Sequence, residues 1–255
     1  MKYRDFTLIV YRRLLETLLR GGFVFQTFAG FLEAEARKVV ILRHDVDKRP
    51  GFALAMAQLE AELGISASYY FRVVDESYDE AVMKEIAGLG HEIGYHYEDL
   101  ALAGGDMDKA LRSFPLHLER FRRVAPVKTI CMHGSPLSRW DNRLLWQSRD
   151  YRDFGLIGEP YYDVDFTKVL YLTDTGRRWD GQRMNVRDKA DGQRTLPVRS
   201  TWEIIELAAA GSLPPQIMIN AHPQRWSDSP AAWLKELALQ NIKNVVKRIV
   251  ARRRS

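Results

Sequence analysis

The sequence predicts an α/β fold, a distorted (β/α) barrel of about seven mostly parallel strands, and two observations support this prediction. Strand-like and helix-like segments alternate from about residue 38 to residue 133, with short connections between them. Such alternation is typical of parallel strands joined by right-handed crossovers. In addition, four of the strand-like segments end in ionisable side chains, at the end of a parallel sheet where ligands bind.

Length and composition are those of an ordinary globular protein. The 255 residues suffice for one sizeable core, and we expect a single domain over residues 1–255. The net charge of +5 is too small and dispersed to predict nucleic-acid binding. Cys131 is the one cysteine, which excludes an intrachain disulfide and a multi-thiolate metal site. No apolar leader and no run of 18 apolar residues occurs, so we expect a cytoplasmic protein without a transmembrane segment.

The spacing of apolar residues predicts an N-terminal helix over residues 6–20, ended by Gly21-Gly22. The predicted strands cover residues 23–25, 38–45, 66–73, 91–97, 127–133, 168–172 and 216–220. The other predicted helices cover residues 50–63, 79–89, 106–124 and 201–210. A bend or break is expected near Pro115, because proline removes a helix hydrogen bond.

Two segments fall outside this regular alternation. Residues 135–199 are rich in Asp, Arg, Gly and aromatic residues, and we expect irregular substrate loops over one end of the sheet. A basic amphipathic helix is predicted at residues 230–254. Such a helix either packs its apolar side on the barrel, the commoner arrangement, or makes peripheral contact with an anionic membrane.

An aspartate pair, Asp45 and Asp47, ends the first strongly apolar strand. Two carboxylates two residues apart point to the same side of a strand that continues through them. Buried charges at a strand end need a partner, and a divalent metal ion is one such partner. Alternatively, Asp47 caps the helix that begins near Pro50. This stretch alone leaves both interpretations open.

Three further strands end in histidine. His96 and Glu98 lie two residues apart at the end of one strand, and His133 and His222 end two others. A lone histidine is commonly structural, but the strand ends of a parallel barrel meet at one face. Three histidines and an aspartate pair at matching strand ends therefore predict a metal site.

These residues resemble the polysaccharide deacetylase family, the NodB-homology group of carbohydrate esterases (carbohydrate esterase 4-like). The resemblance rests on four motifs: Asp45-Val46-Asp47, Ser66-Ala67-Ser68-Tyr69-Tyr70-Phe71, Gly90-His91-Glu92-Ile93-Gly94-Tyr95-His96 and His222-Pro223. The glycine-flanked histidine motif is the most specific of them, and the likeness extends from about residue 38 to residue 223.

The resemblance implies a NodB-like distorted barrel, a divalent metal that is often zinc, and hydrolysis of an acetyl group on a sugar. By likeness to the family motifs, Asp45 would be the catalytic base and Asp47 a metal ligand. His96 matches the first metal histidine, and His222 matches the general acid. The expected function is therefore a metal-dependent carbohydrate N-deacetylase acting on an acylated amino sugar. The expected cytoplasmic location and the Arg-rich loops favour a nucleotide- or lipid-linked sugar, as in cell-surface polysaccharide or O-antigen biosynthesis.

One departure from the family pattern concerns the third metal ligand. The family usually has a second metal histidine four residues after the first, where this chain has Leu100, which cannot bind a metal. We expect His133 to supply the missing ligand, with Glu98 as the alternative. A chain without a working third ligand would be a non-catalytic sugar-binding barrel.

Substrate binding is expected from the irregular loops, through aromatic faces that stack on sugar rings and arginines that bind anions. The candidates are Arg139, Trp140, Asp174, Arg177 and Trp179. Alternatively, these five side chains hold the irregular loops together.

Two other classes of function compete with a deacetylase. A glycosyltransferase could use Asp45 and Asp47 to hold the metal of a nucleotide sugar, but only about 44 residues precede the pair and no Gly-rich phosphate loop is visible. A glycosyltransferase would also leave the histidines at the strand ends unexplained. Nucleic-acid binding through the basic C-terminus predicts a steep dependence of binding on salt and no effect of His96→Ala.

Overall fold

The computed structural model describes residues 4–134, 138–179 and 196–241. Within these residues the strands form one parallel sheet that curls into a half-barrel with helices around it, which confirms the predicted fold class. The strands are β1 (Val24–Gln26), β2 (Val39–Val46), β3 (Ser68–Phe71), β4 (Glu92–Tyr97), β5 (Ile130–Met132), β6 (Leu170–Thr173) and β7 (Gln216–Ala221).

Strand β2 is the centre of the sheet, and all eight of its residues are buried. The strand order is β5-β4-β3-β2-β7-β6, and every pairing is parallel. One edge of β2 pairs with β7, whereas the other edge is shared: β1 pairs with residues 39–41 and β3 with residues 43–46. The strand that carries Asp45 and leads to Asp47 is therefore held by neighbours along its whole length.

Helices flank the sheet and connect its strands. They are α1 (Leu8–Arg20), α2 (Phe28–Glu33), α3 (Pro50–Glu62), α4 (Glu80–Gly88), α5 (Asp99–Leu102), α6 (Met107–Arg122), α7 (Pro160–Asp163), α8 (Thr201–Ala209) and α9 (230–241). Most of these helices begin at a residue whose side chain accepts a hydrogen bond from a backbone N–H of the first turn. The Thr7 hydroxyl accepts from Val10 N at the start of α1, and Asp106 accepts from Lys109 N at the start of α6.

Some predicted elements differ in detail. Helix α6 continues through Pro115, because its apolar face buries Phe114, Leu118 and Phe121 and this packing compensates for one lost backbone hydrogen bond. Residues 138–179 of the predicted loop region contain short helices as well as β6. Most of the predicted basic stretch of the C-terminal helix lies outside the described residues. No helix in the described ranges is long and apolar enough to cross a membrane.

Candidate metal centre

Asp45 is fixed by an arginine on its own strand. Alternation along β2 turns Arg43 and Asp45 to one side, and Arg43 Nε and Nη2 donate to the two carboxylate oxygens at 2.9 and 2.7 Å. Asn220 Nδ2, at the end of β7, donates to Asp45 Oδ2 at 2.8 Å. Burial opposes ionisation, but the charge of Arg43 and the nearby His96 hold the pKa of Asp45 well below its usual range.

Three potential ligand atoms converge beside this carboxylate. His133 Nδ1 lies 3.1 Å from His96 Nε2 and 3.3 Å from Asp47 Oδ1, and His96 Nε2 lies 3.8 Å from the same oxygen. Zinc with bonds of about 2.0–2.1 Å in tetrahedral geometry keeps its ligand atoms about 3.3 Å apart. Asp47 Oδ1 is buried and accepts no hydrogen bond from the described residues. The spacing, the two imidazoles and this unpaired oxygen fit a divalent cation such as zinc.

The imidazole of His96 is prepared to act as a ligand. Its Nδ1 lies 2.9 Å from the Cys131 carbonyl oxygen, which can only accept, so Nδ1 carries the proton and Nε2 is left free. Burial lowers the pKa of His96 to about 3, which keeps the ring in its neutral, metal-binding form. A second possible group, Asp45, His96 and Cys131, shares this ring. It is the poorer donor set, because both oxygens of Asp45 already accept from Arg43.

Glu98 lies beside His133 rather than inside the cluster of three atoms. Arg72 Nε and Nη2 donate to the two oxygens of Glu98 at 2.7 and 2.9 Å. Glu98 Oε2 lies 3.8 Å from His133 Nε2, the nitrogen that faces away from Asp47. Leu100 is buried in α5. Of the two alternatives for a third ligand, the structure brings His133 to the cluster and pairs Glu98 with arginine.

His222 approaches the same cluster from β7. Its Nε2 lies 4.0 Å from Asp47 Oδ2, and its Nδ1 lies 2.6 Å from Asp174 Oδ1. Asp174 also accepts from the backbone N–H of His222 at 3.0 Å and from Trp226 Nε1 at 2.9 Å, and it pairs with Arg225. Burial would raise the pKa of Asp174, but Arg225 and His222 keep it below its usual value. Asp174 is thus an ionised anchor that leaves Nε2 of His222 free.

The expectation that Asp174, Arg177 and Trp179 contact substrate does not agree with their positions. Asp174 is fully buried beneath His222. Trp179 is 2% exposed and donates to Thr201 Oγ1, and Arg177 lies over the rings of Phe6 and Trp233. These side chains hold the chain around β6 to the rest of the protein, which was the alternative interpretation of the loop residues.

Arg139 and Trp140 remain near the surface. Trp140 lies against the backbone of Gly105, where an added Cβ would come within 2.3 Å of the indole ring. The Arg139 guanidinium lies 5.0 Å from the centre of that ring and is exposed. The geometry leaves both residues available as substrate contacts.

His44 and His91 lie on the opposite side of β2 and take no part in the cluster. His44 Nε2 lies 2.8 Å from Glu60 Oε1, and Tyr11 and Tyr69 donate to the same buried carboxylate. His91 bridges Ala67 N and the Ala57 carbonyl. Both histidines are structural, as alternation and the strand start predict.

Three supporting residues were not identified from the sequence, namely Arg43, Arg72 and Asn220, and Asp174 was expected to contact substrate rather than to support His222. Each of these four residues carried a signal in the sequence. Arg43 shares the face of Asp45 by alternation, Asn220 is two residues before His222, and Asp174 immediately follows β6. Arg72 follows β3 at the same end of the sheet.

No protein-family model and no curated protein matches the sequence. Similar solved structures include a family 4 carbohydrate esterase from Bacillus anthracis, at 11% identity over 89% of this chain and 83% of that chain, with a TM-score of 0.41. They also include PdaA of Bacillus subtilis, a family 4 carbohydrate esterase, at 11% identity over 89% and 84%, with a TM-score of 0.42. BA3943 of Bacillus anthracis, described as a CE4 family pseudoenzyme, is 14% identical over 80% of this chain and 60% of that chain, with a TM-score of 0.42.

Proposed function

We propose that this protein is a metal-dependent hydrolase that removes the acetyl group from an acetylated amino sugar. The main support is one arrangement: Asp47 Oδ1, His96 Nε2 and His133 Nδ1 lie within 3.8 Å of one another, between an anchored carboxylate and an anchored imidazole. Two nitrogens and one oxygen are the donor set of many catalytic zinc sites, which keep a further position open. The choice of an amide-linked acetyl group and a sugar rests on the motif resemblance described above.

The bound cation would supply Lewis acidity toward a carbonyl oxygen and would make a water molecule more acidic. Asp47, His96 and His133 would hold it. Asp45 is ionised, and its Oδ2 lies 3.9 Å from His96 Nε2, at the edge of the cluster. In this proposal Asp45 accepts the proton of the attacking water, while Arg43 and Asn220 keep the carboxylate in place.

His222 is the proposed general acid. Asp174 holds Nδ1 of His222, so Nε2 faces the cluster and can carry a proton to the departing amine. An amine is a poor leaving group until it is protonated, so this step matters most for an N-acetyl substrate. The Asp174 charge stabilises the imidazolium that forms before the transfer.

A second candidate is a non-catalytic sugar-binding barrel, and one observation favours it. Both oxygens of Asp45 accept hydrogen bonds from a buried arginine, which makes the carboxylate a weak base. Acetate release by the zinc-loaded protein from N-acetylated sugars, including nucleotide-linked and polymeric forms, tests both candidates. We expect release from at least one N-acetylated sugar and none with Asp45→Asn. Tight sugar binding without acetate release would support the binding barrel instead.

A further inference from the structure

We propose that Glu98, fixed by Arg72, is a positioning residue that places the ring proton of His133 on Nε2 and so keeps Nδ1 free for the cation. This inference rests on the metal centre of the proposed function and adds to it the residues that orient the third ligand. It also accounts for why a buried carboxylate stands beside the cluster without joining it.

The backbone of His133 is fixed at both of its polar groups. Its N–H donates to the Tyr97 carbonyl at 2.9 Å, and its carbonyl accepts from Asn142 Nδ2 at 2.9 Å. The remaining freedom of this residue is in its side chain, that is, in ring orientation and in the choice of which nitrogen carries the proton. A neutral imidazole binds a metal through the nitrogen that lacks the proton.

The two imidazoles of the cluster need opposite tautomers. His96 presents Nε2, because its Nδ1 donates to the Cys131 carbonyl. His133 presents Nδ1 to that nitrogen at 3.1 Å. In the metal-free chain a proton on His133 Nδ1 would be stabilised by His96 Nε2 at 3.1 Å and by Asp47 Oδ1 at 3.3 Å, and it would occupy the space between the ligand atoms. A ligand-ready His133 therefore requires something that favours the proton on Nε2.

Among the residues that the structure describes, Glu98 is the group whose position favours a proton on His133 Nε2. Its Oε2 lies 3.8 Å from His133 Nε2, which is longer than a direct hydrogen bond but close enough for its charge to favour a proton there. Glu98 is 4% exposed, so solvent screens this interaction little. Carboxylates that orient metal-binding histidines in this way commonly change metal affinity by about 10–100-fold.

Arg72 fixes Glu98 relative to the other ligands. Two of its nitrogens hold the Glu98 carboxylate, and Nη1 donates to the Asp47 backbone carbonyl at 3.1 Å. The Arg72 guanidinium thus links the Asp47 backbone to the Glu98 carboxylate. Lysine at this position would lose the two-pronged geometry.

The test uses the full chain labelled with ¹⁵N in its histidine rings, with zinc affinity and ring-nitrogen shifts measured for the wild type, Glu98→Gln and Glu98→Ala. We expect Glu98→Ala to weaken zinc binding about 10–100-fold while one ion per chain still binds. Without metal, Glu98→Ala should lower the fraction of His133 that carries its proton on Nε2 relative to the wild type. Glu98→Gln, which keeps an acceptor oxygen but no charge, should lie between the two.

Glu92→Gln is the matched control, since Glu92 is a carboxylate at the start of β4, the strand that Glu98 follows, and accepts from Ala29 N and the Ser68 hydroxyl, away from the cluster. Unchanged affinity and an unchanged His133 tautomer in Glu98→Ala would overturn the inference. So would a larger affinity loss in Glu98→Ala than in His133→Ala, because Glu98 would then be the ligand. A tautomer that depends on Glu98 in a protein that releases no acetate would support the positioning role and count against the proposed function alone.

Discussion

His222 Nδ1 lies 2.6 Å from Asp174 Oδ1. The proposed general acid is thus held by a buried carboxylate that directly follows strand β6. This contact fixes the direction of the ring. The ionised Asp174 can only accept and favours a proton on Nδ1, whereas Arg225 Nη1, 2.8 Å from the same nitrogen, can only donate. The same carboxylate accepts from Trp226 Nε1, so its own position is fixed from a second direction.

Replacing this anchor should reduce the rate of deacetylation with little effect on zinc binding. In Asp174→Asn the amide can donate to Nδ1, which would favour the tautomer with the proton on Nε2 and remove the stabilising charge. We expect kcat to fall by about 10²–10⁴-fold. The measurement is acetate release at saturating substrate, with thermal unfolding and zinc affinity as controls. Equal loss of zinc affinity and rate would assign Asp174 to the metal centre instead.

Removal of the cation should abolish activity reversibly. Treatment with a chelator should stop acetate release, and added zinc should restore it. His96→Gln should weaken zinc binding by at least about 100-fold, because a direct ligand is expected to matter more than an orienting residue. His117→Gln is the matched control, since His117 pairs with Asp99 outside the cluster. Full activity of the chelated protein would contradict the metal-dependent mechanism.

Arg43 and Asp45 should contribute to the free energy of unfolding mainly through their mutual contact. Both residues are at least 96% buried, so Arg43→Met would leave an unpaired buried carboxylate and lower the free energy of unfolding by about 3–5 kcal/mol. Adding Asp45→Asn to that variant should recover part of the loss. Denaturant unfolding of both single variants and the double variant measures the coupling energy. Additive losses in the double variant would show that the two charges do not stabilise each other.

Folding stability should depend on pH through Glu159. Burial raises the pKa of its carboxyl from 4.5 to about 7, although Met132 N and Tyr161 N donate to it. The folded state therefore binds more protons than the unfolded state between these values. The contribution of Glu159 to the free energy of unfolding is greatest below about pH 4.5 and falls by about 3 kcal/mol as pH rises through about 7.

Glu159→Gln should remove this dependence, because glutamine does not titrate. Urea unfolding at several pH values from 5 to 8 should give a flatter stability curve for the variant than for the wild type. Parallel curves would show that Glu159 has an ordinary pKa in the folded protein.

Gly94 is required by close packing within the sheet. A Cβ at this position would lie 2.3 Å from the Tyr70 ring, whose hydroxyl bonds to Thr129. Gly94→Ala should lower the free energy of unfolding by about 1–3 kcal/mol. Gly88→Ala in α4 is the matched control, since nothing lies within 4 Å of the added methyl, and it should be neutral or stabilise by up to about 1 kcal/mol. The two variants behaving alike in denaturant would rule out the packing explanation.

The sequence predicted the elements that position the site better than the contacts within it. Strand alternation and the common end of parallel strands were enough to expect Asp45, Asp47, His96, His133 and His222 in one place. Those rules depend only on local periodicity and on a shared topology. They give no distances, so the choice between His133 and Glu98 required coordinates.

The residues that were misjudged depend on long-range packing. Asp174 follows a strand, yet an aspartate in an Arg-rich region is as easily a substrate contact as a partner for histidine. Its donors on His222 and Trp226 come from about 50 positions further along the chain. Trp179 was expected in a loop, but it packs beside Phe6 of the N-terminal segment. No pattern within residues 135–199 indicates that contact.

Arg43 and Asp45 lie two residues apart on β2, so the Asp45 carboxylate and its counterion belong to the same strand. Charge balance at this position requires no residue from the rim loops. Insertions and substitutions in those loops can therefore occur without leaving the Asp45 carboxylate uncompensated. In this architecture, the loops can diversify independently of the Arg43–Asp45 charge pair.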